Sequence, residues 1–501
     1  MKQFLSGFCF FIITLFSSAQ FKADKLKWSK DGNSIYENEK GAIIKTSLKT
    51  GQQTVLMPAT ALKTADGKPL TAADFSITDD ESSILIFTNT ARVWRYNTKG
   101  DYWLYDITAK TGKQAGKTRP SQSLLYAKLS PDGKKIAYVS QNNIYVEDIA
   151  TGSSKALTST NNTKKLINGT FDWVYEEEFG CRDGFRWSAD SKRIAYWQVD
   201  ANKIRDYYMI NNTDSNYSRI VPVEYPKVGE LPSPVKIGVV NIEDAKTVWM
   251  NIPGEPANNY LPRMEWSAND ELVVQQLNRK QNESKLYFCN AANGNAKEFY
   301  KETDKAWIDI KSRWNDDDPR GWDFINGGKE FLWVSEKDGW RHIYKVGRDG
   351  KEILLTADNY DIATISAVDE INQELYFIAS PNNPLQRYLY KVRMDGKSNA
   401  VRVTPSQYEG TNSYDVSPGA KFAMQGFNSR MFAPVSQMIA LPAHKPVAGE
   451  EMLNTVKPGR RDNFEFFTIT TDDGITMDGW MTKPRNFDST KKYPVVLYVY
   501  S

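Results

Sequence analysis

One pattern recurs along most of this chain: a polar turn, a strand of alternating or apolar residues, a second turn, then another strand. Its clearest copy is Leu129-Ser130-Pro131-Asp132-Gly133-Lys134-Lys135-Ile136-Ala137-Tyr138-Val139, followed by Asn143-Ile144-Tyr145-Val146-Glu147-Asp148-Ile149 and the turn Thr151-Gly152. Related starts fall at Trp28-Ser29-Lys30-Asp31-Gly32, Thr78-Asp79-Asp80, Trp187-Ser188-Ala189-Asp190, Trp266-Ser267-Ala268-Asn269, Ile325-Asn326-Gly327-Gly328, Val368-Asp369-Glu370-Ile371-Asn372 and Val416-Ser417-Pro418-Gly419. The eight starts are 50, 51, 58, 79, 59, 43 and 48 residues apart. Most of these spacings hold four short strands with their turns, the content of one propeller blade. Asp-Gly and similar pairs supply the positive-φ positions of tight hairpins. Stacked helical repeats are the alternative, but stretches with a 3.6-residue period are scarce and β-branched and aromatic residues dominate. The pattern predicts a mainly β chain, with an eight-bladed β-propeller over residues 20–445.

The one oversized spacing, from Trp187 to Trp266, implies an insertion of roughly 25 residues over a typical blade. It contains Asp206 to Lys236, rich in Tyr, Asn and Pro, and is predicted to form an arm or lid. After about His444 the repeat stops. Asn463 to Thr470 alternates as a strand, Asp472-Asp473-Gly474 is a hairpin turn, and Thr476 to Lys483 returns as a second strand. Val495-Val496-Leu497-Tyr498-Val499-Tyr500 is an apolar run suited to a strand buried on both faces. Three strands without covering helices leave edges and an apolar face exposed. Residues 446–501 are therefore expected to begin a second domain whose remainder lies beyond Ser501.

The first residues read as an export signal over 1–19. Lys2 is followed by the mostly apolar Phe4 to Phe16 and by Ser17-Ser18-Ala19, with cleavage before Gln20. That apolar run is too short for a membrane span, so a secreted or periplasmic location is expected. The mature chain keeps Cys181 and Cys289, whose pairing the sequence leaves open. Lysine plus arginine (64) nearly balance aspartate plus glutamate (61), interspersed along the chain. This balance argues against nucleic acid or an anionic membrane as the main partner.

The chemistry concentrates in Asp172-Trp173-Val174-Tyr175-Glu176-Glu177-Glu178-Phe179. Adjacent carboxylates repel, and burial beside aromatic rings raises their pKa values unless a cation sits close by. No lysine or arginine lies within the run, and the nearest basic neighbour in sequence is Arg182. The expected cation is a ligand's, such as the free amino terminus of a peptide; a solvated acidic turn is the competing reading. Arg95, between Trp94 and Tyr96, is a candidate companion whose planar fork suits a peptide carbonyl or a carboxylate. No Gly-x-Ser-x-Gly elbow occurs. The two histidines, His342 and His444, are expected to be structural, and no zinc site, P-loop or dinucleotide fingerprint is present, so no cofactor is expected.

Together these segments resemble the dipeptidyl peptidase IV family of the prolyl oligopeptidase group of serine peptidases. The residues that carry the resemblance are Asp172 to Glu178, the following Ile194-Ala195-Tyr196, and the insertion with Val221-Pro222-Val223-Glu224-Tyr225-Pro226-Lys227 and Val235-Lys236-Ile237-Gly238-Val239-Val240-Asn241. Gly339-Trp340-Arg341-His342-Ile343 and Phe487-Asp488 through Tyr493-Pro494 add to it. The resemblance implies that Glu177 and Glu178 bind the substrate's amino terminus and that Arg95 binds the carbonyl of its second residue. It implies an oxyanion-hole role for Tyr500 and makes Arg313 the candidate for a further arginine near the S2 pocket. It also implies that 446–501 begins an α/β-hydrolase domain, with the serine nucleophile, aspartate and histidine beyond Ser501. The expected function is that of a secreted exopeptidase releasing Xaa-Pro or Xaa-Ala dipeptides, the chain by itself being inactive and the full-length protein a possible homodimer. The alternative is a non-catalytic peptide-binding propeller or scaffold. A related oligopeptidase of other specificity is disfavoured by the glutamate motif.

Overall fold

The turn that opens the repeat is built from side chains. Ser29, Ser130 and Ser188 each donate the hydroxyl to the aspartate two residues on, at 2.6 Å in all three. Those aspartates, Asp31, Asp132 and Asp190, accept the backbone N–H of Asn33, Lys134 and Lys192 at 3.0–3.1 Å. The serine oxygens accept the N–H of Ser34, Lys135 and Arg193 at 2.9–3.0 Å. Thr78 and Asp80 make the corresponding bonds to Ser83 and Ser82 at 3.0 Å. Short polar side chains thus replace backbone partners that a tight reversal leaves unpaired. The recurrence of Ser/Thr-x-Asp is explained by this local bonding.

A computed structural model describes residues 26–64, 67–267, 271–310, 322–457, 459 and 464–497. The predicted export signal (1–19), Arg313 and Tyr500 lie outside the described residues. The chain is mainly β, as its sequence predicts. Among the described residues, eight antiparallel meanders follow one another, starting at Lys27–Trp28, Ala72–Ile77, Leu124–Leu129, Leu166–Asn168, Asn259–Trp266, Asp323–Ile325, Ile362–Asp369 and Thr411–Val416. Lys99 and Gly100 pair with Leu125 and Leu124, joining the second and third meanders into one eight-stranded sheet. In the fourth meander the opening strand is split. Leu166–Asn168 pairs with residues 198–200 and Phe185–Trp187 with residues 194–196 of the same neighbour, Arg193–Asp200. The chain between the two halves carries the helix described below.

Apolar side chains from successive meanders make the cores. Tyr36 and Ile43 pack with Phe75, Ile84 and Tyr105; Leu85 and Tyr102 pack with Leu124 and Tyr138; Val139 and Ile144 pack with Phe185 and Tyr196. Among the described residues seven such clusters run from the first meander to the eighth. Strands covered on both faces read as continuous apolar runs, which is why Ile136-Ala137-Tyr138-Val139 does not alternate.

The first and last meanders meet through polar contacts. Trp28 Nε1 donates to Asp415 Oδ1 at 3.0 Å, and Lys421 Nζ donates to the carbonyl of Asp31 at 3.1 Å. Gly32, at φ 67, packs so closely that a Cβ there would lie 2.2 Å from the Pro418 carbonyl oxygen. Gly133 holds the equivalent turn position at φ 70, with nothing within 4 Å of its Cβ direction. Gly133→Ala is therefore expected to cost only the positive-φ penalty, about 1 kcal/mol. Gly32→Ala adds the clash with the eighth meander and should lose clearly more in chemical denaturation. Equal losses would mean that the two ends do not pack against each other.

The predicted arm is a hairpin of Asp206–Asn211 and Arg219–Glu224. It exposes Tyr207, Tyr208, Met209, Ile210, Tyr217 and Ile220. The eighth meander ends with Lys445–Pro446, and Phe464–Thr470 pairs with Thr476–Thr482 as the sequence predicts. Of the expected third strand over 495–500, Val495, Val496 and Leu497 form no strand and are exposed, and 498–500 lie outside the described residues. Among the described residues no neighbouring strand stands beside that run to complete a ladder. Cys181 and Cys289 are both unbridged and buried. His342 is held between Asp338 (2.8 Å) and the carbonyl of Asp358 (2.9 Å), and His444 is buried against the Tyr414 hydroxyl at 2.9 Å. No described helix is long and apolar enough to cross a membrane.

Candidate functional site

The acidic run folds as a helix, Trp173–Phe179, inserted where the strand of the fourth meander is split. Asp172 caps it, accepting the N–H of Tyr175 at 3.1 Å, and Gly180 ends it at φ 63, the left-handed conformation glycine adopts without cost. Seven residues are too few for a helix to persist on backbone bonds alone, so tertiary packing holds it. Tyr175 and Phe179, four apart and therefore on one face, are 0% and 2% exposed. Their rings pack with each other and with Phe171 and Tyr260 at centroid separations of 4.9–6.2 Å, and Phe171 packs in turn on Trp197 at 5.2 Å. The Tyr175 hydroxyl accepts the N–H of Leu261 at 3.1 Å, and Trp197 Nε1 donates to the carbonyl of Leu261 at 2.8 Å. Leu261 sits where the ladder register shifts between Tyr260 and Arg263. The two aromatic side chains satisfy backbone groups that the irregular strand leaves unpaired.

The opposite face presents the charges. Glu177 is half-buried and Glu178 exposed, both in the last turn, where no basic residue balances them. Carboxylates at a helix C-terminus oppose the helix dipole. A charge arrangement that the local structure does not favour is characteristic of a functional site.

Arg95 supplies a cation from 82 residues away in sequence, its Nε donating to the Glu177 carboxylate at 2.8 and 2.7 Å. It sits with Trp94 at the tip of the hairpin formed by Ser83–Val93 and Tyr96–Asp106. Trp94 adopts φ 48 there, uncommon for a bulky residue and a conformation that clusters at functional sites. The Arg95 side chain is 71% exposed. A second guanidinium, that of Arg182, lies over the Tyr96 ring at 3.9 Å. The same hairpin tip is thereby tied to the segment that follows the helix. Glu178 lies near Tyr260, whose hydroxyl is pushed up by burial, with the Arg279 charge opposing and the Glu178 charge adding.

Glu176, the first of the triplet, is 9% exposed, and its Oε1 is buried with no hydrogen-bond partner. Burial pushes its carboxyl from 4.5 up to about 7; the Arg182 guanidinium opposes the shift and the Glu177 charge adds to it. A carboxyl raised in the fold stabilises it while protonated. That contribution is fully present below about pH 4.5 and is lost as pH rises through 7. Glu176→Gln stays neutral throughout. Its stability relative to the parent should rise between pH 5 and 8 in denaturation melts, and a constant difference across that range would contradict the assignment.

The structure thus brings Glu177, Glu178 and Arg95 into one site. Arg95, the companion expected from the sequence, stands beside Glu177, and the Arg182 charge acts on Glu176, so protein cations already stand beside the carboxylates. Sequence reasoning passed over the helix, the burial of Glu176 and the Arg182–Tyr96 contact. Asp172 as cap, the Tyr175/Phe179 spacing and Gly180 were the available signs of the helix.

Residues 78–433 match the dipeptidyl peptidase IV N-terminal region, and they span the arginine hairpin, the acidic helix and the arm. The chain is 26% identical over 508 residues to a probable dipeptidyl peptidase 4 of Trichophyton verrucosum, covering 96% of this chain and 64% of that one. It is 25% identical to a probable dipeptidyl-aminopeptidase B of Coccidioides posadasii (84% and 48% covered) and 27% identical to an inactive dipeptidyl peptidase 10 of Rattus norvegicus (74% and 47%). The chain thus spans about half to two thirds of the length of these relatives. Among solved structures, Porphyromonas gingivalis dipeptidyl peptidase 4 superposes with a TM-score of 0.83 at 25% identity, covering 94% of this chain and 66% of that one. With a family match across most of its length and a fold shared along nearly all of it, this chain belongs to the dipeptidyl peptidase IV family.

Proposed function

We propose that this chain is the peptide-recognising part of an exported dipeptidyl peptidase, an eight-bladed propeller over residues 20–445 followed by the start of an α/β-hydrolase domain over 446–501. The succession of meanders, the cores shared between neighbours and the contacts between first and last support the propeller. The observation that carries the functional reading is the placement of Glu178 beside a Glu177 already fixed by Arg95, on the exposed face of a helix with no basic residue in its last turn. Glu177 and Glu178 hold the ammonium of a peptide's first residue, and Arg95 donates to the carbonyl of the second. Gripping the ammonium sets the scissile bond two residues along, so reach selects the dipeptide. Residues after the clamp then supply the preference for Pro or Ala at the second position. Tyr500 is assigned to the oxyanion hole, where a phenol O–H meets the developing charge. The nucleophile and its base are assigned to no residue of 1–501.

The exposed apolar face of the arm is the proposed surface for a homodimer. The second reading, a binding module without catalysis, is favoured by the similarity to a relative named inactive. Incubating the protein expressed from its gene with a Gly-Pro anilide and its amino-acetylated counterpart separates the readings. Release from the free-amine substrate only is expected. Equal cleavage of both sinks the clamp, and amine-selective binding without hydrolysis establishes the module.

A further inference from the structure

The helix that carries Glu177 and Glu178 is gripped by the arm. Ser233, where the arm returns to the fourth meander, donates its hydroxyl to Asp172 Oδ2 at 2.7 Å. The two residues are 1% and 6% exposed. The other oxygen of Asp172 accepts the N–H of Tyr175 at 3.1 Å, so one buried carboxylate spans the arm and the first turn of the helix. Trp173 packs its indole on Tyr225 at a centroid separation of 4.5 Å, and Tyr225 packs on Tyr207 of the arm's first strand at 5.8 Å.

A second path reaches the other end of the helix. The carbonyl of Glu230 accepts from Arg279 at 3.5 Å, another guanidinium nitrogen of Arg279 donates to the Tyr260 hydroxyl, and the Tyr260 ring lies 4.9 Å from Phe179. A helix of seven residues takes its orientation from what holds it. Here two holders at the first turn, Ser233 and Tyr225, belong to the insertion and stand beside the repeat residues that pack on Tyr175.

We propose that Ser233 and Tyr225 are positioning residues for the amine clamp: through Asp172 and Trp173 the arm sets the angle at which Glu177 and Glu178 face Arg95. Neither residue touches the peptide. Without the Ser233 hydroxyl, Asp172 Oδ2 is left buried without that partner, and the first turn moves toward water to solvate it. Without the Tyr225 ring, Trp173 loses its platform. In both cases the carboxylates shift relative to Arg95, and a clamp that depends on two carboxylates converging on one ammonium is sensitive to displacements of about 1 Å.

The inference rests on the clamp reading, so the test carries a control for that reading. The tripeptide Gly-Pro-Gly and its amino-acetylated form are titrated calorimetrically into the parent chain and into Ser233→Ala, Ser233→Thr, Tyr225→Ala, Tyr225→Phe and Glu178→Gln. The quantity read is the ratio of the two dissociation constants. Ser233→Ala and Tyr225→Ala are each expected to cut the preference for the free amine about tenfold, the loss of roughly one hydrogen bond's worth of alignment. Affinity for the acetylated peptide should stay as in the parent, and Ser233→Thr and Tyr225→Phe should keep the parent ratio.

A purely structural defect lowers both affinities together and leaves the ratio alone, which overturns the proposal. An unchanged ratio in Tyr225→Ala overturns it too, and this half-exposed site can be tested even if Ser233→Ala fails to fold. If Glu178→Gln loses the preference while both alanine variants keep it, the positioning role falls and the clamp stands. If the parent shows no preference, the clamp falls and the positioning role with it.

Discussion

Glu178→Ala is expected to weaken binding of a free-amine peptide on the order of 10- to 150-fold while leaving the melting temperature unchanged or slightly higher. The loss follows from the charge-assisted hydrogen bond between a carboxylate and an ammonium, about 1.5–3 kcal/mol. The stability expectation follows from the helix. Glu178 is exposed in the last turn, where its charge opposes the helix dipole, and alanine has the higher helix propensity. A substitution that removes function and spares or improves the fold identifies a residue kept for its ligand. Parent-like affinity in Glu178→Ala would remove it from the site. Glu177→Ala is less clean, because it also removes the carboxylate that accepts from Arg95 Nε.

The opposite pattern is expected of Tyr175→Ala. Its ring is fully buried among Phe171, Phe179 and Tyr260, and its hydroxyl serves the N–H of Leu261. Deleting a buried aromatic side chain costs about 3–5 kcal/mol, and here the helix loses the anchor that faces the core. Binding and stability should therefore fall together. Tyr175→Phe keeps the ring and leaves only the Leu261 N–H unpaired, at about 1–3 kcal/mol. Denaturation of the two variants beside the parent checks the order. A Tyr175→Phe loss as large as that of Tyr175→Ala would mean that the hydroxyl, not the packing, holds the helix.

These two residues mark what the amino-acid sequence reveals and what it hides. The first four meanders were legible because a local device closes the turn after the opening strand, as Ser130, Asp132 and Gly133 do in the third. The arm was legible as a break in spacing. In the third strand expected after the hairpin, Val495-Val496-Leu497 has the composition of a buried strand but stands exposed, with no neighbouring strand among the described residues to complete a ladder. The helix escaped because two turns are too short to display a 3.6-residue period, and three glutamates mask the Tyr175/Phe179 stripe. The Arg95–Glu177 pair joins the second meander to the fourth, and no local pattern encodes that contact. The state of Glu176 is likewise a product of packing: its neighbour Glu177 has the same chemistry but stands only half-buried.

The amine clamp is tested most directly by calorimetric titration of Gly-Pro-Gly and acetyl-Gly-Pro-Gly into the parent chain at pH 8. Acetylation removes the positive charge and changes little else in the peptide. Binding of the free-amine peptide with at least about 100-fold weaker binding of the acetylated one is the predicted result. Equal dissociation constants would contradict it.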